Sequence, residues 1–150
     1  MGMIDVGNKE ITVRIAKATA LVKLNAQLVE RIKNNDMPKG NVLETARVAG
    51  ILAAKKTPEL IPLCHNIEIN KVSVEFQLEA EGIRIESIVK ASSKTGVEME
   101  AIVACSIAAV TIYDMCKMFL QDIEISGIEL LEKIGGKSGE YKKISHGVRN

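Results

Sequence analysis

No tryptophan occurs in the 150 residues, and aromatic side chains make up only 3%. Bases stack on aromatic faces, so the chain offers little platform for a single strand. It also lacks the charge surplus that holds a phosphate backbone: 20 Lys and Arg stand against 19 Asp and Glu, a formal net charge of +1. A nucleic-acid partner is excluded on both counts. Histidine is scarce, with His65 and His146 alone, and no Cys-x-x-Cys or His-x-x-x-His spacing exists to build a metal centre. The three cysteines, Cys64, Cys105 and Cys116, show no framework spacing. They point to a reduced, cytoplasmic protein rather than a disulfide scaffold. The opening "MGMIDVGNKE" lacks the apolar core of a signal peptide. The long uncharged run, Ala101 to Tyr113, has thirteen residues, too few to span a bilayer. It reads as a buried helix, with no membrane partner.

What is present is ordinary globular composition, 47% hydrophobic and 26% charged, in a chain long enough for one domain over residues 1–150. In "ITVRIAKATALVKL" (11–24), Ala18, Ala20, Val22 and Leu24 alternate as in a strand, although Leu21, Leu24 and Leu28 also fit a helix. Asn25 suits the N-cap of "AQLVERIKNN". After a loop punctuated by Pro38 and Gly40, Asn41 and Glu44 have capping-box spacing ahead of "VLETARVAGILAAKK". The stripe Glu44, Arg47, Ile51, Lys55 is expected to face solvent and the Val, Leu and Ala remainder to be buried. "TPEL" reads as a short helical turn with Thr57 as cap and Pro58 at its first position. Two strands follow as a hairpin turning at Glu81–Gly82, the first changing its inward parity near Asn70–Lys71, which predicts a bulge. A long helix is expected over about residues 97–120 and a short strand in "DIEISG", while "GIELLEKIGG" fits either period. The tail reads as loop with at most one more strand. The sum is an α+β domain with helices on one face of a mainly antiparallel sheet.

Within the apolar helix, Asp114 and Lys117 lie three residues apart, neighbours on one side. Val103, Ile107 and Val110 share that side. Either the helix surfaces there and the pair is solvated, or it is a partly buried acid/base pair lining a pocket. Glu98 and Glu100 open the same helix, where the dipole alone could account for them. Glu100 and Asp114 have similar azimuths but lie roughly 21 Å apart along the axis. Serving one site would therefore take a long ligand or two subunits. Cys64 and His65 stand on an irregular segment after Pro62, where a structural role competes with a nucleophilic thiol or a proton carrier. Lys137 in "GGKSG", Lys39 in "PKG" and Arg14 in "TVRIA" are candidate anion contacts, although solvated cations are the commoner case. The P-loop pattern fails, because Leu131 stands where a glycine is needed.

Taken together, "MPKGNVLETARVAGILAAKKTPELIPLCHN" (37–66), "TGVEMEAIVACSIAAVTIYDMCK" (95–117) and "GGKSGEY" (135–141) resemble the cyclic pyranopterin monophosphate synthases, the molybdenum cofactor biosynthesis protein C family. The resemblance implies a ferredoxin-like α+β subunit in a homohexamer, a trimer of dimers, with the active site at a subunit interface. It implies a lyase that converts 3′,8-cyclised dihydroguanosine triphosphate to cyclic pyranopterin monophosphate, releasing pyrophosphate. By motif, Asp114, Lys117, Lys39 and His65 match catalytic positions. Leu63, Cys64, His65, Glu98, Met99 and Glu100 match substrate contacts, and Arg14 and Lys137 match phosphate binders. No resident cofactor is implied, with Mg²⁺ accompanying the triphosphate left open. Asn66 stands where many members have Pro, and Ile134 where Thr is common. Two rival readings are a Schiff-base lyase using Lys117 and a non-catalytic nucleotide-binding regulator of the same fold.

Overall fold

The computed structural model describes residues 1–144. Its elements run β1 (Thr12–Lys23), α1 (Ala26–Lys33), α2 (Val42–Lys55), α3 (Thr57–Leu60), β2 (Ile69–Glu79), β3 (Gly82–Ser93), α4 (Glu98–Cys116), β4 (Glu124–Ile134) and β5 (Tyr141–Lys142). The sheet order is β2-β3-β1-β4-β5, and each neighbouring pair is antiparallel. The first four strands with the intervening helices form a ferredoxin-like α+β fold, and β5 is a two-residue addition at one edge.

The alternation in β1 decides its conformation: Ala18, Ala20 and Val22 are fully buried and Leu24 nearly so. The Asn25 side chain accepts from the Leu28 amide at 2.8 Å, capping α1. Asn41 accepts from the Glu44 amide at 3.0 Å, but Glu44 turns to Arg47 instead of back to the cap, so only half of the capping box forms. The predicted bulge is present, as a register shift in the β2–β3 pairing between Ile69 and Lys71. The hairpin turn sits at Ala80–Glu81, one residue early, because Gly82 already pairs with Lys23 of β1.

Four expectations change. Thr57 does not cap α3. Its hydroxyl donates backwards to the Ala54 carbonyl at 2.9 Å and the Ala53 carbonyl at 3.3 Å, closing the end of α2. The outward stripe of α2 is rotated. Glu44 and Lys55 are exposed, but Ile51 packs on the core. The Arg47 guanidinium lies 5.3 Å from the Phe76 ring and donates to Glu75 and to the Val74 carbonyl. Val48 and Leu52 take the outward positions, half exposed. The ambiguous segment after "DIEISG" is strand, making β4 eleven residues long. Two register shifts against β1 break its alternation, and Gly127 supplies the positive φ (59°) in the bulged stretch. Finally, α4 ends at Cys116 rather than near residue 120; its 19 residues are long enough to cross a bilayer, but 56% of its apolar window is buried inside the protein, as expected of a buried helix. It is the core helix.

The seam between α2 and α4 is tight where Gly50 meets Ala104 and Ala108. A Cβ at Gly50 would lie 2.9 Å from the Ala104 carbonyl oxygen and 3.2 Å from Val74 Cγ2. Alanine favours helix by about 1 kcal/mol over glycine, but here it forces two backbones apart. Gly50→Ala is therefore expected to destabilise by about 1–3 kcal/mol, read as a lower urea midpoint. An unchanged or higher midpoint would mean the seam is looser than this.

Candidate functional site

The α4 helix carries a cluster at each end. At its C-terminal end Asp114 binds two ammonium groups, Lys117 Nζ through Oδ1 at 2.7 Å and Lys39 Nζ through Oδ2 at 2.7 Å. Lys39 arrives from the loop before α2 and also donates to the Asp114 carbonyl at 3.2 Å. Hydrogen bonds from Lys117 and then Lys39 hold the Asp114 carboxyl down to about 2. The same bond raises Lys117 above the ordinary lysine value, so it is an ammonium. In a single chain these side chains are 41–58% exposed. The partly buried pocket considered for the pair is absent from one chain among the described residues, and only a second surface could bury it.

The N-terminal end of α4 borders a cleft of about 370 Å³, lined by Leu63, Cys64, His65, Glu98, Met99 and Glu100 together with Ile4, Val6 and Lys9 of the N-terminal segment. Ser87 of β3 holds this end of the helix to the sheet, donating to the Ala101 carbonyl at 2.6 Å and accepting from Cys105 Sγ at 3.1 Å. Glu100 is 2% exposed, and burial pushes its carboxyl up, with the Glu98 charge adding to the rise. Burial also works to raise Glu98. The Lys133 ammonium at 2.6 Å and the nearby Arg14 charge outweigh it, leaving Glu98 lowered and ionised. Burial and the Glu100 charge both raise the Cys64 thiol, which disfavours the thiolate a nucleophile requires.

A second hollow of about 640 Å³ adjoins the first through Lys9 and is lined by Arg14, Gly136, Lys137 and Ser138. Arg14 donates to the carbonyls of Ser93, Gly135 and Lys94 at 3.3–3.4 Å. It stitches the loop before α4 to the loop after β4. A guanidinium has five N–H donors, so capacity for an anion remains.

One end of the chain thus gathers Leu63, Cys64, His65, Glu98, Met99, Glu100, Arg14 and Lys137, and the other gathers Lys39, Asp114 and Lys117. Sequence reasoning missed Lys133, the partner of Glu98, because it falls in the segment whose period was ambiguous; a strand assignment there would have drawn attention to it. Lys9 and Lys94 were missed too, having no local signal.

A family model described as the MoaC family matches residues 3–136. The chain belongs to this family. The MoaC match takes in every residue of the two clusters except Lys137, one position beyond its end. The chain is 49% identical over 143 residues to the cyclic pyranopterin monophosphate synthase of Peptoclostridium acidaminophilum, covering 95% of this chain and 91% of that relative.

The buried carboxyl gives a testable stability effect. Folding disfavours the ionised form of Glu100, so its cost is fully present above the raised folded-state value and relieved as pH falls toward the ordinary carboxylate range. Glu100→Gln should raise Tm by a few degrees at pH 8, and the gain should shrink as pH approaches 4.5. A gain independent of pH would place the effect elsewhere.

Proposed function

We propose that the chain is a cyclic pyranopterin monophosphate synthase. It converts (8S)-3′,8-cyclo-7,8-dihydroguanosine 5′-triphosphate to cyclic pyranopterin monophosphate with release of pyrophosphate, within molybdenum cofactor biosynthesis. The observation that carries this reading is the similarity along nearly the whole chain, which includes both ends of α4.

The working enzyme is a homohexamer, a trimer of dimers, in which the Lys39–Asp114–Lys117 end of one subunit faces the Glu98–Glu100 cleft of another. Support comes from the division of the candidate residues between the two ends of one helix, and from half-exposed Val48, Leu52 and Val110 on the α2–α4 surface. Reopening the purine-derived ring and closing the cyclic phosphate require proton transfers and stabilisation of developing charge. Lys117, held as an ammonium, serves as general acid, and Asp114 orients it. Lys39, Arg14 and Lys137 hold phosphates and the departing pyrophosphate. His65 carries a proton or contacts substrate, with Leu63, Cys64, Met99 and Glu100 lining its place. No resident cofactor takes part, and Mg²⁺ enters, if at all, on the triphosphate. The compartment is the cytoplasm, where the free thiols of Cys105 and Cys116 persist.

A Schiff-base mechanism needs a neutral amine, and the Asp114 contact works against one at Lys117. Purified protein should release pyrophosphate from the cyclised triphosphate and form the cyclic monophosphate. Binding without turnover would favour a regulator, and borohydride trapping of substrate on Lys117 would favour the lyase rival.

A further inference from the structure

Residues 4–9 border the cleft outside any helix or strand, yet they are tied down at Ile4 and Gly7. The Ile4 carbonyl lies 2.7 Å from His65 Nε2, and the Gly7 carbonyl accepts from Lys94 Nζ at 2.8 Å. Within the segment the Asp5 carboxylate accepts from the Gly7 amide at 2.8 Å, and the Lys9 amide donates to the Val6 carbonyl at 3.1 Å. Ile4, Val6 and Lys9 form one wall of the cleft that also contains His65, Glu98 and Glu100.

A carbonyl oxygen has no proton to offer, so the proton in the bond to Ile4 belongs to His65 Nε2. In the neutral ring the lone pair then resides on Nδ1. We propose that this N-terminal strap is a positioning element of the reaction: the Ile4 carbonyl locks His65 in the Nε2–H tautomer and makes Nδ1 the atom that accepts a proton from substrate. This rests on the reading of His65 as a site residue. In the step, the proton leaves a substrate atom, which keeps the electron pair, and the Nδ1–H bond forms. The ring becomes cationic, and its Nε2–H bond to Ile4 becomes charge-assisted and stronger. The Ile4 carbonyl thus stabilises the imidazolium with a neutral acceptor. Glu98, which also lines the cleft, is already engaged by Lys133.

The chain has two histidines, so His146→Gln leaves His65 as the only imidazole. Solid-state nitrogen spectra of that sedimented, histidine-labelled protein at pH 8 should show protonated Nε2 and bare Nδ1. Asp5→Ala combined with Lys94→Met loosens the strap without touching His65, and deletion of residues 2–6 removes the Ile4 carbonyl outright. Both should give mixed tautomers and lower kcat by ~10-fold with KM little changed. An Nδ1–H tautomer in the parent overturns the proposal, as does a deletion protein with the parental tautomer or the parental kcat. A His65→Ala protein that turns over at the parental rate overturns the catalytic half. The spectra are read without substrate, so failure of the parent to turn over the cyclised triphosphate is distinguishable: it overturns the synthase reading instead.

Discussion

Lys117→Ala is expected to lower turnover of the cyclised triphosphate by about 10³-fold while leaving assembly intact. The ammonium is bonded to Asp114 at 2.7 Å and lies outside the packed seam, so its removal opens no cavity. Lys117→Arg should fail as well, because a guanidinium does not release its proton at working pH. Asp114→Asn keeps the shape but removes the contact that raises Lys117. The folded-state lysine value then falls, and whatever activity remains should be lost at lower pH on the alkaline side than in the parent. Lys55→Ala, on an exposed position of α2, is the control and should cost almost nothing. Near-parental turnover by Lys117→Ala, or activity lost only through dissociation, would make the pair structural.

Val110→Arg should dissociate the proposed hexamer and abolish activity together. Val110 is 52% exposed and lies one turn before Asp114 on the same side of α4. A second chain that covers Asp114 must cover Val110. An unpartnered charge in such an interface costs about 2 kcal/mol or more, against a patch that Val48 and Leu52 extend on α2. Sedimentation should show small species, and turnover should fall by ~100-fold or more. An intact hexamer with parental activity would show that this face stays open.

Much of the fold was legible because local signals agreed with tertiary demands. The β1 alternation coincides with full burial of Ala18, Ala20 and Val22, and Asn25 and Asn41 both cap as their spacing predicts. Legibility failed where a partner distant in sequence decides the outcome. β4 is strand because β1 pairs with it, and its bulges erase the alternation that would have identified it. Val48 and Leu52 read as core because apolar side chains usually are, whereas in one chain they face outward. The site was legible as a set of motifs and not as geometry. Nothing local shows that Arg14 stitches two loops or that Glu98 pairs with Lys133, since those partners lie 79 to 121 and 35 residues away. Nor does spacing show that Glu100 is buried and Asp114 exposed at similar azimuths of one helix.

The central claim is that one active site draws on two chains. Co-expressing Lys117→Ala with His65→Ala under two affinity tags, and isolating hexamers that carry both, tests it directly. Each protein alone should be inactive. In mixed hexamers, about one quarter of the sites should combine an intact Lys117 end with an intact His65 end, if each site takes one end from each of two randomly assorted chains. Recovery of activity near that fraction is the predicted result, and mixed hexamers no more active than either variant alone would contradict a site shared between subunits.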